Sequence, residues 1–304
     1  MVTGGAGFIG SHLVDALLAE GHLVAVVDDL STGRRENLAS GVVFYEADIR
    51  DAARLGEAFA SFRPQIVYHL AAQTSVRRST GDPAGDGSTN VVGSINLLEA
   101  AVRDGVEKVI YASSGGAIYG EPDYLPVRED HPVRPLSPYG LSKYVVELYL
   151  RLYRDLHGLR YTVLRYPNVY GPRQDPYGEA GVVAIFSRAL LGGERPVIFG
   201  DGCQTRDYVY VSDVVEASLL CLERGDDGVY NLGWGREVSV VELLARLQEV
   251  LGTKVEPRHD PPRPGEVRRI CLDASRAKED LGWQPATPLV EGLRLTAGWV
   301  AAAG

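Results

Sequence analysis

Tyr139 and Lys143 are the two residues whose types and spacing most directly suggest catalysis. They lie four residues apart at the start of segment 138–157, predicted to be the longest helix, and residues four apart share a helix face. A neighbouring cation stabilises a phenolate, whose phenol has an ordinary pKa of about 10. Lowering that pKa by about three units takes roughly 4 kcal/mol, which Lys143 and a second positive charge nearby can supply together. The pair predicts a general base; the alternative is an exposed helix with an incidental Tyr and Lys.

The glycine cluster at the start of the chain predicts the cofactor for that base. Gly4, Gly7 and Gly10 follow a short apolar run and precede a helical pattern, which places them in a strand-to-helix turn. Glycine suits the backbone of such a turn and lets it approach a pyrophosphate, whose charge the following helix favours. Asp28 ends the next apolar run, where a carboxylate accepts hydrogen bonds from an adenosine ribose and repels a 2′-phosphate. The cluster therefore predicts NAD rather than NADP, against the alternative of an ordinary tight turn.

Composition excludes several other classes of protein. The 304 residues carry a net charge of −9, so there is no basic surface of the kind that binds nucleic acid. Cys203, Cys221 and Cys271 are odd in number and lack metal-ligand spacing, and the six histidines form no ligand pair, so we expect neither disulfides nor a metal. Apolar runs are too short for a membrane span. The glycine turn begins at once and leaves no room for a signal peptide, which predicts a cytoplasmic protein.

Short apolar runs alternate with helical patterns through the first half of the chain. Strands are expected at 42–45, 65–70, 107–112 and 161–165, and helices at 8–20, 51–62, 90–103 and 138–157. This alternation predicts an α/β fold of the Rossmann type, with a doubly wound parallel sheet. Further helices are expected at 180–191, 212–224, 239–251 and 288–302. We predict an NAD-binding domain at 1–166 and a smaller, mixed α/β substrate domain at 167–304, with parts of 208–233 allowed to return to the first.

Several motifs together resemble the extended short-chain dehydrogenase/reductase family. They are TGGAGFIG at 3–10, Asp28, DI at 48–49, HLAA at 69–72, SxxxxYG at 114–120 and YxxxK at 139–143. LRYPNVYGPR at 164–173 and RDYVYV at 206–211 resemble the members of that family that act on nucleotide-diphosphate sugars. The resemblance runs essentially from end to end.

That resemblance implies the site residues. The NAD site would be formed by Gly4, Gly7, Phe8, Ile9, Gly10, Asp28, Asp29, Leu30, Asp48, Ile49, Leu70, Ala71, Ala72, Asn90, Tyr139 and Lys143. The substrate site would be formed by Ser114, Tyr139, Asn168, Arg206, Arg263 and Glu266, in which the arginines engage the diphosphate. Each assignment has a plainer alternative: Arg206 could pair with Asp207 on the surface, and Arg263 could be a solvated loop residue.

The implied activity is 4-epimerisation of a UDP-hexose, UDP-glucose or UDP-galactose, by transient oxidation and re-reduction at C4. Tyr139 and Lys143 would be catalytic together with Ser114, the hydroxyl that bonds the reacting oxygen. The family places this hydroxyl four residues before the Tyr-Gly pair, and Gly115 stands there in this chain. We therefore expect a one-residue β-bulge that brings Ser114 into place, with Ser113 as the alternative.

Rival activities begin with the same oxidation. A 4,6-dehydratase or a UDP-glucuronate decarboxylase needs acidic groups just after the catalytic hydroxyl, where this chain has Gly115 and Gly116. A UDP-glucuronate 4-epimerase and a non-catalytic NAD-sensing protein also remain open. Ile270 aligns with the position that gates N-acetylated sugars and is intermediate in bulk, so it does not identify the sugar.

The 138–157 helix also predicts a homodimer. Its apolar side chains spread over roughly 200° of the helix circumference, whereas a helix resting on one sheet needs about half that width. Val91, Val92, Ile95 and Leu98 of the neighbouring helix are expected to complete the interface. The alternative is deeper burial of the helix within one subunit.

Overall fold

The secondary structure alternates strand and helix as far as residue 166. In the computed structural model, which describes residues 1–177, 181–263 and 267–303, the strands are β1 Val2–Thr3, β2 Ala25–Asp28, β3 Val43–Glu46, β4 Ile66–His69, β5 Lys108–Ser114, β6 Arg160–Tyr166, β7 Asn168–Tyr170, β8 Val197–Phe199, β9 Thr205–Arg206, β10 Tyr208–Tyr210, β11 Gly228–Asn231, β12 Val238–Ser239 and β13 Arg258–Asp260. The helices are α1 Phe8–Ala19, α2 Ala52–Phe62, α3 Val76–Gly81, α4 Pro83–Gly87, α5 Gly93–Arg103, α6 Gly115–Ile118, α7 Pro138–His157, α8 Val182–Leu191, α9 Val211–Leu220, α10 Val240–Leu251 and α11 Leu289–Ala303. Single turns lie at Arg35–Asn37, Ser88–Val92 and Ala277–Leu281.

The described strands assemble a seven-stranded sheet in the order β11-β6-β5-β4-β1-β2-β3. Every neighbouring pair in it is parallel. The doubly wound parallel sheet expected from the sequence is confirmed. Since parallel strands all end at the same edge, Thr3, Asp28, His69 and Ser114 meet there.

Alternation along each strand divides the apolar residues between two cores. Val26 packs with α1 and α9 on one face of the sheet, and Val27 packs with α2, α5 and α7 on the other. Val163 and Leu164 of β6 divide in the same way. Because a strand points successive side chains to opposite faces, a run that is apolar throughout marks a strand buried on both sides.

The later part of the chain serves both the sheet and a smaller layer. α9 packs against α1, and β11 forms the edge strand beside β6. The smaller layer contains the parallel pairs β7–β10 and β8–β13, the antiparallel pair β9–β12, and helices α8, α10 and α11.

Two short helices, α3 and α4, lie where the sequence predicts no regular structure. Ser75 caps α3, and Asp82 followed by Pro83 begins α4. These caps stabilise the two short helices. The sequence does not predict them, because the glycine-rich residues 81–87 carry no apolar period. The predicted helix at 212–224 is shorter than expected and ends at Leu220.

The expected β-bulge before Tyr119 is wrong. β5 pairs with β6 in unbroken register through Ser114, which lies opposite Tyr166. Ser114 lies five residues before Tyr119 rather than four, and the one-turn helix α6, which begins at Gly115, accommodates this additional residue. A side chain at position 115 would not fit, because a Cβ there would lie 2.4 Å from Cδ1 of Leu272.

None of the described helices is long and apolar enough to cross a membrane.

Candidate active site

The glycine turn between β1 and α1 is held against the loop that follows β4. Gly4 has a φ of +70°, and a Cβ on it would lie 2.6 Å from the backbone nitrogen of Ala71. A Cβ on Gly10 would lie 2.2 Å from the carbonyl oxygen of Gly4, so α1 packs directly on the turn. Above Gly7 the space is open, since a Cβ there would meet within 4 Å only the Gly4 oxygen, at 3.3 Å. Close backbone contacts thus require glycine at positions 4 and 10, whereas Gly7 leaves open space beside the turn.

Asp28 lies at the end of β2 with its carboxylate facing this turn. Oδ2 accepts a hydrogen bond from the amide of Ala6 and Oδ1 from the amide of Leu30, each at 2.9 Å. Burial raises the pKa of the Asp28 carboxyl, against the two amides, which lower it. Each oxygen can accept a second hydrogen bond, so the carboxylate can hold a ribose hydroxyl while its amide contacts fix its position.

Other residues of the expected NAD site border the same edge. Phe8 and Ile9 form the first turn of α1, half-buried, and Leu70, Ala71 and Ala72 follow β4, also half-buried. Asp29 is exposed and accepts from Ser31, and Leu30 has a φ of +56°.

Asp48 and Ile49 lie in the loop after β3. Both carboxylate oxygens of Asp48 accept from Nε of Arg50, at 3.0 and 2.9 Å, and this bond lowers the pKa of the Asp48 carboxyl. Ile49 is buried against Gly93, where a Cβ would lie 2.6 Å from the isoleucine side chain. This loop therefore closes against the start of α5.

Asn90 is buried, and its amide group is engaged within the protein. Oδ1 accepts from the backbone nitrogen of Gln73, and Nδ2 reaches the Gln73 carbonyl oxygen, Asp86 Oδ1 and Ser142 Oγ at 3.0 to 3.1 Å. Asn90 thus links the loop after β4 to α7.

Tyr139 and Lys143 lie in the first turns of α7, which is capped by Ser137 with Pro138 in its first turn. Nζ of Lys143 donates to the carbonyl oxygen of Ala112 at 2.8 Å and lies 4.9 Å from the centre of the Tyr111 ring. Burial lowers the pKa of Lys143 to about 8, opposed by Asp86 and Glu147.

The lowering of the Tyr139 pKa that Lys143 and an oxidised nicotinamide ring are expected to supply together stays a prediction. Burial raises the pKa of Tyr139 to about 12, against the nearby Ser114 hydroxyl, which lowers it. The i, i+4 spacing places both residues on one helix face, but the ammonium is directed at β5.

Ser113 and Ser114 face opposite sides of β5. The Ser114 hydroxyl lies beside the Tyr139 phenol and lowers its pKa. Ser113 is 3% exposed and donates to Oε1 of Glu147 at 2.5 Å. Adjacent strand residues must diverge in this way, so only one of the two hydroxyls can lie beside the phenol.

A buried ion pair supports the strand that carries Ser114, and sequence reasoning missed it. Glu147 accepts from Arg165 of β6 at 2.7 Å, and Arg165 also donates to the hydroxyl of Tyr119. The spacing of Glu147, four residues after Lys143, was the available signal, since it predicts the same helix face.

Asn168 and Arg206 are held near the carboxyl edge by Asp207. The backbone nitrogen of Asn168 donates to the Asp207 carbonyl, and Oδ1 of Asn168 lies 3.7 Å from where a Cβ on Gly116 would stand. Arg206 is half-buried and donates to the Thr205 carbonyl.

The suggested surface pair of Asp207 with Arg206 is wrong. The Asp207 carboxylate is 1% exposed and accepts from the backbone nitrogens of Trp234, Gly235 and Leu272 at 3.0 to 3.1 Å. Burial raises the pKa of Asp207 to about 6, against these three amides. Asp207 therefore ties together three segments around Arg206.

Arg263 is not a free solvated residue: it is half-buried, with its guanidinium 3.7 Å from the centre of the Phe199 ring. Glu266 lies outside the described residues. Ile270 is buried in a cluster with Ile118 and Val267.

The residues at the edge fit NAD. The open space over Gly7, the amides of the first turn of α1 and the fixed carboxylate of Asp28 match a pyrophosphate and an adenosine ribose. Among residues 1–177, 181–263 and 267–303, no group of His, Cys, Asp or Glu could hold a metal ion.

This arrangement defines a class of protein: a dinucleotide-binding α/β protein with a buried tyrosine and lysine at the carboxyl edge of its sheet. Residues 1–233 match the model of the NAD dependent epimerase/dehydratase family. The chain belongs to that family.

Relatives match the chain over nearly its whole length. A UDP-glucose 4-epimerase of Mycolicibacterium smegmatis is 51% identical, with 97% of this chain and 96% of that protein covered. A UDP-glucose 4-epimerase of Thermotoga maritima, solved with UDP-glucose, is 52% identical with a TM-score of 0.98, covering 99% and 98%. A Thermus thermophilus UDP-glucose 4-epimerase, solved with NAD, is 48% identical with a TM-score of 0.96, covering 100% and 99%.

Proposed function

We propose that this protein is an NAD-dependent 4-epimerase that interconverts UDP-glucose and UDP-galactose. The observation that carries the proposal is the placement of the Ser114 hydroxyl beside the Tyr139 phenol, at the edge where the glycine turn and Asp28 also lie. A tyrosine and a serine hydroxyl can there share one sugar oxygen next to a dinucleotide. The full-length relatives at about half identity, one solved with UDP-glucose and one with NAD, support the same reaction.

Tyr139 is the proposed base. It accepts the proton of the sugar 4-hydroxyl and returns it after the sugar has turned over, so a single group serves both directions. Ser114 bonds the same oxygen and stabilises the charge that develops on it. NAD, when bound, supplies the hydride acceptor and donor at C4 and a positive charge that favours the phenolate.

Lys143 is placed to hold the nicotinamide ribose and to contribute positive charge, with its own position fixed by the Ala112 carbonyl. The glycine turn would hold the pyrophosphate through the amides of α1. The remaining residues expected at the NAD site border this position and are proposed to line it.

The proposed substrate contacts follow from the chemistry of a UDP-sugar. Arg206 and Arg263 present guanidinium groups suited to phosphate oxygens, and Asn168 offers an amide close to Gly116. We propose that residues 1–166, with returning elements α9 and β11, hold NAD and that the smaller layer holds the nucleotide sugar.

The lining of the site disfavours the dehydratase alternative. Elimination of water across C5 and C6 needs an acid and a base beside the hydroxyl. A Cβ at position 115 would lie 2.4 Å from Cδ1 of the buried Leu272, and position 116 is also glycine, so neither position carries an acid or a base. A 4-epimerase needs neither group.

We propose a homodimer formed through α7 and the neighbouring α5 region. Leu141, Leu148, Leu152 and Leu156 lie along one stripe of α7 and are 46% to 65% exposed, and Val92 is 50% exposed. Such a stripe is unfavourable in water and suits a second copy. Leu98, expected in the interface, is instead buried in the core beside α2.

Cys203, Cys221 and Cys271 are unpaired thiols, which agrees with the proposed cytoplasmic location.

The test is NMR of the purified protein incubated separately with UDP-glucose, UDP-galactose, UDP-N-acetylglucosamine and UDP-glucuronate. We expect the first two to interconvert to a common equilibrium mixture. Turnover of UDP-glucuronate alone, or appearance of a 4-keto-6-deoxy sugar, would replace the proposed substrate or reaction.

A further inference from the structure

Asp86, on the short helix α4, is a buried carboxylate beside α7. It is 2% exposed, and its Oδ1 accepts from Nε2 of Gln73 at 2.8 Å and from Nδ2 of Asn90 at 3.1 Å. Its Oδ2 is buried without a hydrogen-bond partner among the described residues. Removing a carboxylate from water costs several kcal/mol when no cation compensates it directly. Folding stability alone therefore does not account for an acid at this position.

Hydrogen bonds link Asp86 to the turn of α7 that carries the proposed base. The Nδ2 of Asn90 that meets Asp86 also reaches Oγ of Ser142 at 3.1 Å. The Ser142 hydroxyl donates to the carbonyl oxygen of Tyr139 at 3.0 Å. Displacement of the Asp86 carboxylate would therefore be felt at the backbone of Tyr139 and Lys143.

Asp86 differs from Glu147, the other carboxylate near Lys143, in the charge of its hydrogen-bond partners. The groups that face the region around Lys143 are Asp86 from α4, Tyr139 and Glu147 from α7, Tyr111 from β5 and His69 from β4. Glu147 is paired with Arg165 at 2.7 Å, which offsets its charge. Burial lowers the pKa of His69 to about 3, so that ring is neutral at physiological pH. Asp86 accepts hydrogen bonds from two neutral amides and from no cation, so among these groups its negative charge acts on Lys143 through space.

We propose that Asp86 is a positioning residue that acts through Lys143 and Tyr139: it fixes the Asn90–Ser142 contact, and with it the turn of α7 that carries this pair. The inference rests on the proposed function, in which that pair carries the chemistry.

The negative charge of Asp86 shifts the pKa values of Lys143 and Tyr139 in the same direction. It raises the pKa of Lys143 by stabilising the cation and raises the pKa of Tyr139 by opposing the phenolate. Removing the charge lowers both pKa values. The acid limb of the rate profile, set by Tyr139, and the alkaline limb, set by Lys143, should therefore both move to lower pH. A role confined to packing would lower the rate and leave the two limbs in place.

The first measurement reads Lys143 directly. The sequence contains four lysines, Lys108, Lys143, Lys254 and Lys278, so a ¹³Cε-lysine NMR titration of the NAD-loaded protein is resolvable, with Lys143→Arg to assign its signal. Asp86→Asn keeps the shape of the carboxyl and removes the charge, and Asp86→Ser is a second, smaller uncharged variant. Asp82→Asn is the matched control, because Asp82 is exposed on the same segment and asparagine caps α4 equally well.

We expect the Lys143 titration in Asp86→Asn and Asp86→Ser to fall by on the order of one pH unit, with no change in Asp82→Asn. The kcat profile for UDP-galactose should move to lower pH at both limbs in the same two variants. An unchanged Lys143 titration, or limbs that stay in place, would overturn the inference. If the wild-type protein converts no UDP-hexose, the proposed function fails, while the lysine titration still decides what Asp86 does.

Discussion

The hydroxyl of Ser114 lies beside the phenol of Tyr139 at the carboxyl edge of the sheet and lowers the pKa of that phenol, whereas the preceding residue, Ser113, donates a hydrogen bond to Glu147. The divergence of two adjacent strand residues thus separates a hydroxyl beside the base from a hydroxyl that supports the strand. This difference gives a prediction that needs no knowledge of the bound sugar.

Ser114→Ala should lower kcat by on the order of 10²–10³-fold, the usual cost of losing one donor to a developing charge. Ser113→Ala should leave kcat within about ten-fold, and lower stability by about 1 kcal/mol because Glu147 loses one bond. Steady-state kinetics and thermal unfolding of the two variants check this. The assignment of Ser114 fails if Ser113→Ala is the slower enzyme.

The cofactor prediction depends on the fixed carboxylate of Asp28. Because both oxygens are held by amides in a buried position, a 2′-phosphate would meet an unscreened negative charge. NAD should bind more than 100-fold more tightly than NADP, and Asp28→Asn should narrow this ratio mainly by improving NADP binding. Calorimetric titration of the cofactor-free protein measures both constants. Equal affinities in the wild type would contradict the role of Asp28.

The dimer prediction can be tested by one charge placed on α7. Leu152→Glu should give a monomer at micromolar concentration, because the exposed stripe would then carry a carboxylate into the interface. Leu23→Glu is the control, since Leu23 is 90% exposed and lies away from α7. Sedimentation velocity distinguishes the two. A monomeric wild type, or a dimeric Leu152→Glu variant, would exclude this interface.

The buried imidazole of His69 is expected to make the free energy of unfolding fall at acid pH. Its Nδ1 accepts from the hydroxyl of Thr3 and its Nε2 donates to Ser94, whose own hydrogen is used on the Asn90 carbonyl. Burial lowers the pKa of His69 from 6.5 to about 3. The unfolded chain therefore binds a proton that the folded chain does not, and this contribution to stability is present above pH 6.5 and is lost as the pH falls toward 3.

Over that interval the His69 contribution to the free energy of unfolding should change by about 1.4 kcal/mol per pH unit. His69→Gln should remove this one-proton slope, and His22→Gln, at an exposed position, should keep it. Urea unfolding at several pH values measures the slopes. Equal slopes in all three proteins would show that His69 does not titrate in this way.

The sequence predicts the sheet and the glycine turn well because each depends on local chemistry. Val26 and Val27 are both apolar because they face two cores, and Gly4 and Gly10 are required by contacts of their own backbone. What cannot be read locally is where a long side chain is directed. Lys143 shares a helix face with Tyr139, yet its ammonium is directed at β5, where it donates to the Ala112 carbonyl.

Buried acids show the same limit. In the alternative interpretation of the sequence, Asp207 pairs with Arg206 on the surface. In the structure its carboxylate instead accepts hydrogen bonds from three backbone amides of distant segments. Asp86 lies four residues before Asn90, a spacing that signals a shared helix face, but the glycine-rich stretch around it conceals the helix. Its proximity to α7 depends on tertiary packing.

The central claim, transient oxidation at C4 by a base that works in both directions, is tested most directly by isotope. UDP-galactose carrying deuterium at C4 is incubated with the NAD-loaded protein, and the product is examined by NMR and mass spectrometry. Tyr139→Phe is the control, and should bind the nucleotide sugar while losing several orders of magnitude in turnover.

We predict UDP-glucose that retains its deuterium at C4, with no net release of NADH and no loss of water, because the hydrogen removed from C4 never exchanges with solvent. Loss of the label to water, accumulation of a 4-keto-6-deoxy sugar, or undiminished turnover by Tyr139→Phe would contradict the account.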